Sequence, residues 1–281
     1  MSDSVRIAVL IKQVPDTSGK TGVNPDGTVD RARAKKMMNP FDKFALQKAL
    51  EMKAALGGEI VVISMGPPPA IDILYESLEY GADKGYLLTD RRLAASDTLA
   101  TAYALHKAIK SLGRVDVVFT GLQTTDGDTA QTGPQIAERL NLPQITYCEG
   151  MEISDGKIVA TRIIEGGTQR MEVKPPVLIT VANSATKLQH KRFANVYRMK
   201  ELQRNKEELD KKVFTIGLDD ISAEPERTGL LGSPTVVGKT WKMGEIGGTC
   251  VMYEGESPKH EVELLVDRLK EDGRGIEELV S

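Results

Sequence analysis

Four runs of aliphatic and β-branched residues, VRIAVLIKQ (5–13), EIVVISM (59–65), GYLL (85–88) and VDVVFT (115–120), are separated by stretches of helical periodicity. Runs this continuously apolar fit strands covered on both faces, as in the middle of a parallel sheet. Between the first two, Asn39 stands as N-cap with Pro40 at the first helical position. Phe41, Phe44, Ala45, Ala49 and Met52 follow at helical spacing as far as Gly57 and Gly58. Ile71, Leu74 and Leu78 give the next apolar stripe, and Ser96 or Asp97 caps a helix over TLATAYALHKAIKSLG. Strands alternating with helices in this way predict right-handed βαβ units and a doubly wound, mostly parallel α/β sheet.

In such a sheet, ligands gather at the loops that leave the carboxyl ends of the strands. The fourth run leads into GLQTTDGDTAQTG (121–133) and then an amphipathic run from Gln131 to Leu140. Strand, glycine-rich hydroxylated loop and helix together make an anion site from backbone N–H groups, without a lysine. Gly121, Gly127 and Gly133 allow close approach, and Thr124, Thr125, Thr129 and Thr132 add hydroxyls. The alternative is an ordinary βα loop in which Asp128 or Thr129 caps the helix and Asp126 stays in water. The string matches neither GxxxxGK[ST] nor GxGxxG. A crevice lined by strands one, two and four, flanked by Asn39 and this loop, suits a nucleotide.

The 281 residues are 40% hydrophobic and 27% charged, enough for one large α/β domain with an appendage. With 37 basic and 40 acidic residues the net charge is −3, which offers no general attraction for nucleic acid or an anionic membrane. No apolar run reaches the length of a membrane span, so direct membrane insertion is not expected and a cytoplasmic location is. Cys148 and Cys250 have no CxxC spacing and read as buried thiols.

The segment after the first strand, with PDG at 25–27, is long for a connection and reads as a small hairpin; the charges from Arg31 to Lys36 are a solvated face, or a contact to phosphate or an acidic partner. After Pro143 the pattern changes to strands separated by DG and GG turns, predicting added antiparallel strands. Residues 183–212 are basic and helix-prone, and 219–248 read as an arm on another protein or a linker. A final amphipathic helix over 257–271 carries Val262, Leu265, Val266 and Leu269, and such a helix usually docks on its own domain. The expected division is a nucleotide-binding domain over 1–190 and a docking loop, partner-binding arm and C-terminal helix over 191–281.

Catalytic constellations are absent from the sequence. There is no GxSxG, no HExxH and no cysteine–histidine pair, so no catalytic residue is assigned. Asp126 and Asp128 are the only pair that invites a metal reading, and no metal is expected. KQVPD follows the first strand where an ATP pyrophosphatase would carry SGGxDS.

The motifs IKQVPDT, MNPFD, SMGPP, YGADKGYLL, DGDTAQTG and RFANVYRMK occur in an order and spacing that, over nearly the whole chain, resembles the β subunit of electron transfer flavoproteins. KQVPDT and the Gly127 of DGDTAQ resemble the electron-bifurcating branch, while Gln123-Thr124-Thr125 departs from the Gln-Ala-Ile run of many relatives. The resemblance implies an adenine-nucleotide-binding α/β domain paired with an α subunit that carries FAD. It also implies a second FAD, or in conventional members AMP, in the β chain. NADH would be the electron donor, ferredoxin or flavodoxin the low-potential acceptor, and a dehydrogenase or quinone oxidoreductase a further partner. Any oxidoreductase activity would belong to the complex.

By matching position, the resemblance places Leu10, Ile11 and Lys12, then Asn39, Pro40, Phe41 and Asp42, then Met65 and Gly66 around the nucleotide. Leu10 and Met65 would pack on adenine, and Asn39 and Asp42 would contact adenosine groups. Gly121 with Gln123, Thr124, Thr125, Asp126, Gly127, Asp128, Thr129, Ala130, Gln131 and Thr132 completes the set. The amides from Gly127 to Thr132 would hold phosphates, with Asp126 and Asp128 turned outward, capping, or on ribose hydroxyls. Arg192, Phe193, Ala194, Asn195 and Val196 would form a loop that docks a partner dehydrogenase, with Val196 as apolar anchor.

Overall fold

The first apolar run forms strand β1, Arg6–Ile11, with residues 7 to 11 all buried. In the computed structural model, residues 4–16, 35–236 and 251–271 are described, and the chain divides into two units, 1–238 and 239–281. Gln13–Pro15 (β2) and Lys36–Met38 (β3) pair antiparallel, so the long connection after β1 does return on itself; its PDG turn and the cluster at 31–34 lie outside the described residues.

From β3 the chain enters α1, Pro40–Leu56, then β4, Glu59–Met65, and, after a short 3-10 turn, α2, Ile71–Tyr80. It continues through β5, Lys84–Leu88, α3, Thr98–Ser111, β6, Val117–Gly121, and α4, Thr132–Leu140. Next come β7, Gln144–Ser154, β8, Lys157–Ile164, β9, Gly167–Val173, and β10, Val177–Val181. The first unit continues with α5, Phe193–Arg204, α6, Lys206–Asp210, and β11, Val213–Ile216.

Nine strands form one sheet in the order β11-β5-β4-β1-β6-β10-β7-β8-β9. Neighbours from β11 to β7 run parallel, and β7, β8 and β9 form an antiparallel meander closed by the DG turn and by a turn at Gly166. The predicted added strands are therefore one edge of a doubly wound sheet. Alternate side chains serve two cores: Val9, Val62 and Ile179 meet α1 and α2 residues such as Leu46, Ala49 and Leu74. On the other face Leu10, Ile63 and Val118 meet Leu105 of α3 and Ile136 of α4. Successive strands build outwards from β1 on one side through β4 and β5, and on the other side through β6 and β10. The strand order therefore reverses between β1 and β6, which is where such sheets open a crevice.

Three features depart from the sequence expectations. Strand β11 extends the sheet beside β5, with Phe214 stacked on Tyr86 at 4.8 Å between ring centres. The described start of the expected arm, residues 219–236, lies on its own unit: Glu224 N–H donates to the Tyr103 hydroxyl, and Gly229 N–H to Ser96 Oγ. Thr235 donates to the Asp97 carboxylate. Asp97 also caps α3 by accepting from Ala100 N–H at 3.0 Å. With β11 in the sheet and Met199 of α5 in the core, the first unit runs on to residue 238. In the second unit, Pro258–Glu271 forms α7, which buries none of its residues and leaves Val262 and Leu265 exposed.

Gly133 marks where α4 meets the sheet. A Cβ there would lie 2.9 Å from both Thr120 Oγ1 and Thr180 Cγ2, so the helix start can sit this low only on glycine. Gly133→Ala is expected to cost about 1–3 kcal/mol through overpacking, read as a lower urea midpoint at unchanged slope.

Candidate functional site

The crevice between the ends of β1 and β6 is built around one buried carboxylate. Asp42, in the first turn of α1, is 5% exposed. Its Oδ2 accepts from Lys12 N–H at 2.7 Å, its Oδ1 accepts from Asn39 Nδ2 at 2.9 Å, and it takes a further backbone hydrogen bond from Gly121. One side chain thus binds the residue after β1, the residue before α1 and the last residue of β6. Burial pushes its pKa up to about 7, against the opposing effect of these donors and of the Lys12 charge.

Asn39 occupies the predicted N-cap position, yet its side chain caps nothing. Its Nδ2 donates to Gln123 O at 2.8 Å and its Oδ1 accepts from Thr125 N–H at 3.2 Å, so it fastens the loop after β6 to the start of α1. Asn39 and Asp42 are both bonded to protein partners and form part of the wall of the crevice. At Gly121 a Cβ would fall 2.3 Å from Asp42 Oδ1 and 2.8 Å from Phe41 C, so the glycine is needed to admit the Pro40-Phe41-Asp42 turn.

The loop after β6 forms the other side of the crevice. Asp128 and Ala130 both have φ of 53°, a left-handed conformation costly for non-glycine residues. Alternation of this kind points successive amides to one side and makes a concavity for anions. Among the described residues, the N–H groups of Gly127, Thr129, Ala130, Gln131, Thr132 and Gly133 have no protein acceptor, whereas Asp128 N–H bonds Thr124 O at 2.9 Å. Neither Asp128 nor Thr129 caps α4; Gln131 holds that position without a side-chain cap and accepts from Thr98 Oγ1 at 3.3 Å.

The two acidic residues of the loop are both engaged. Asp128 accepts from Gln123 Nε2, and Asp126 pairs with Lys12 Nζ at 2.7 Å. Asp126 therefore bridges the two loops that flank the crevice and does not stand alone in water. Burial raises its pKa, but the Lys12 hydrogen bond and charge outweigh that and hold it below the usual range. Leu10 is buried and Met65 half-buried, both in the core under α3 and α4, while Ile11 faces the α1 side. Gly66 N–H binds Leu88 O at 3.1 Å. Sequence reasoning missed Ser64, whose buried Oγ at the carboxyl end of β4 has no hydrogen-bond partner among the described residues. A small polar residue ending an aliphatic strand was the available signal.

The segment that the resemblance implies for docking shares no hydrogen bond with the crevice among the described residues. Arg192 precedes α5; Phe193 is 82% and Tyr197 57% exposed, with rings stacked at 6.4 Å, while Asn195 and Val196 are half-buried. The prominent apolar surface is thus the Phe193–Tyr197 pair, not Val196. Cys148 is a buried thiol whose pKa is raised by burial, and Cys250 lies outside the described residues. Among the described residues no cluster of His, Cys, Asp or Glu could hold a metal, and no helix is long and apolar enough to cross a membrane.

The raised pKa of Asp42 has a definite sign. Between about pH 4 and about pH 7 the folded protein holds this proton and the unfolded chain does not, so the group's contribution to stability falls as pH rises through that window. Asp42→Asn should lose about 1–3 kcal/mol by turning an amide N–H₂ towards donors. Its unfolding free energy, measured across that range, should lie furthest below wild type at the acid end and approach it towards the upper end.

Residues 26–211 match the family model described as electron transfer flavoprotein domain. The chain is 42% identical over 274 residues to "Electron transfer flavoprotein subunit beta" of Thermoanaerobacterium thermosaccharolyticum, covering 94% of this chain and 98% of the relative. It is 39% identical over 272 residues to "Acryloyl-CoA reductase electron transfer subunit gamma" of Anaerotignum propionicum, with the same coverage. It is 38% identical over 269 residues to "Caffeyl-CoA reductase-Etf complex subunit CarD" of Acetobacterium woodii, covering 95% and 98%. A strand-end crevice with an amide-lined loop, matched end to end by such relatives, makes this chain a member of the electron transfer flavoprotein family, of the β-subunit type.

Proposed function

We propose that this chain is the β subunit of a heterodimeric electron transfer flavoprotein, that it holds FAD in the crevice between β1 and β6, and that electrons from NADH pass to the FAD of an α subunit and to a low-potential acceptor. The observation that carries the reading is the set of unpartnered amides at Gly127 and from Thr129 to Gly133, in a loop bent by left-handed Asp128 and Ala130 beside Lys12. A bound flavin supplies hydride acceptance and one-electron release. The protein's part is to hold it and to limit water and access.

The residues fit such a group. Loop amides and the start of α4 suit a diphosphate, Leu10 and Met65 supply apolar wall, and the free Ser64 hydroxyl is a further donor or acceptor. The Lys12–Asp126 ion pair, half-exposed and worth about 0–1 kcal/mol, leaves the ammonium free to face a phosphate as well while Asp126 stays paired. Gly127 favours the larger FAD over AMP, because a side chain there would project from the loop. The exposed Phe193 and Tyr197 offer a dehydrogenase or quinone oxidoreductase an aromatic contact among basic residues, and ferredoxin or flavodoxin is the acceptor class for the low-potential branch. The open stripe of α7 supports a C-terminal arm for the α subunit.

Copurified α and β chains should release two FAD per pair on acid treatment, resolved by chromatography. One FAD with one AMP would make this a conventional carrier, and nucleotide without flavin a non-redox module. Gly127→Val should lower the flavin content of the pair with little change in melting temperature, because a Cβ at 127 meets only Thr124 Oγ1, at 3.3 Å. Unchanged flavin content would remove this loop from the cofactor site. Lys12→Gln should weaken nucleotide retention severalfold while altering stability by less than about 1 kcal/mol, measured by competitive release and urea titration.

A further inference from the structure

A cavity of about 520 Å³ lies under α5, walled by the second half of α1 and the end of α2. It shares no residue with the strand-end crevice. The volume is in the range of small-molecule sites. Its apolar lining comes from Leu50, Leu78, Met199 and Leu202, of which Leu78 and Met199 are buried.

The polar lining is unbalanced. Both carboxylates are already engaged: Asp83 binds Lys53 Nζ at 2.6 Å, and Glu51 accepts from Lys48 Nζ at 2.9 Å and from Thr186. Arg192, Arg198 and Lys212 also line the cavity, and among the described residues their side chains make no ion pair or hydrogen bond. What remains is an apolar floor under three unspent positive charges. Guanidinium groups match carboxylates and phosphates through paired N–H donors, and a cation beside an apolar wall selects a molecule with both characters.

We propose that this cavity binds a small amphipathic anion, a carboxylate or phosphate monoester with a short aliphatic body, its head met by Arg192, Arg198 and Lys212 and its body by Leu50, Leu78, Met199 and Leu202. Because Arg192 and Asn195 line the same cavity, occupancy fixes the start of α5 and withdraws Arg192 and Arg198 from the outer surface.

The full-length chain is titrated calorimetrically with hexyl phosphate, hexanoate and inorganic phosphate. Hexyl phosphate or hexanoate should bind one equivalent at least tenfold more tightly than inorganic phosphate, and comparison of the two identifies the preferred head. Arg192→Gln with Arg198→Gln should weaken that binding at least tenfold. Ala54→Trp, at an exposed wall position, keeps every charge and should weaken it similarly by filling the space. Equal affinity for inorganic phosphate, with Ala54→Trp indifferent, would reduce the site to surface charge and overturn the proposal. Loss of binding in Lys12→Gln but not in these variants would move the ligand to the crevice and overturn it equally.

Discussion

Asp42 is the point on which the strand-end crevice of this molecule turns. Parallel strands end in unpaired amides, and at the place where strand order reverses two such ends lie side by side with no strand between them. The Asp42 carboxylate accepts from the residue after β1 and from the last residue of β6, while Asn39 joins it and reaches on to Gln123 and Thr125. The crevice therefore has a floor of fixed hydrogen bonds before any ligand arrives. Burying a carboxyl group there is costly, and its raised pKa expresses that cost.

That floor allows the loop above it to remain strained. Left-handed Asp128 and Ala130 persist because Asn39 holds one end of the loop and α4, seated through Gly133 on Thr120 and Thr180, holds the other. The acidic side chains would repel an anion if they shared its space. Pairing Asp126 with Lys12 and Asp128 with Gln123 draws them into the protein's own contacts and leaves the amide side of the loop free. Two negative residues and a free row of amides are thus compatible in one short string.

Much of this was legible from the sequence because it depends on local periodicity. Continuous apolar runs gave the buried strands, and Pro40, Asp97 and the glycines after α1 marked helix ends where the structure has them. What depends on distant partners was not legible. Asn39 reads as a cap from its neighbours, but its bond to Gln123 spans 84 residues and decides the side chain's work. Strand β11 has four residues and exists because β5 presents a free edge and Tyr86 a ring for Phe214. Residues 219–236 look like an arm because they lack periodicity, and they lie on α3 because Tyr103, Ser96 and Asp97 offer polar groups to their backbone. The family resemblance supplied the expected positions; only the geometry shows that Asn39, Asp42 and Gly121 also hold the wall of the crevice together.

Helix α1 joins the two regions of chemical interest and also keeps them apart. Its first turn carries Asp42 at the crevice, and its last turns, at Leu50 and Lys53, wall the cavity under α5. Seventeen residues span roughly 25 Å, and the helix is packed along its length by Ala45, Leu46, Ala49 and Met52. Coupling between distant sites needs an element with two discrete arrangements that both sites bias. A straight helix buried on one face is a poor candidate, because sliding it would break contacts with β1, β4 and β10 together. Alpha5 is a better one, since it rests on the rest of its unit mainly through Met199 and half-buried Leu202. A change at the cavity is therefore free to reach the outer face that carries Phe193 and Tyr197 while the crevice stays as Asp42 sets it.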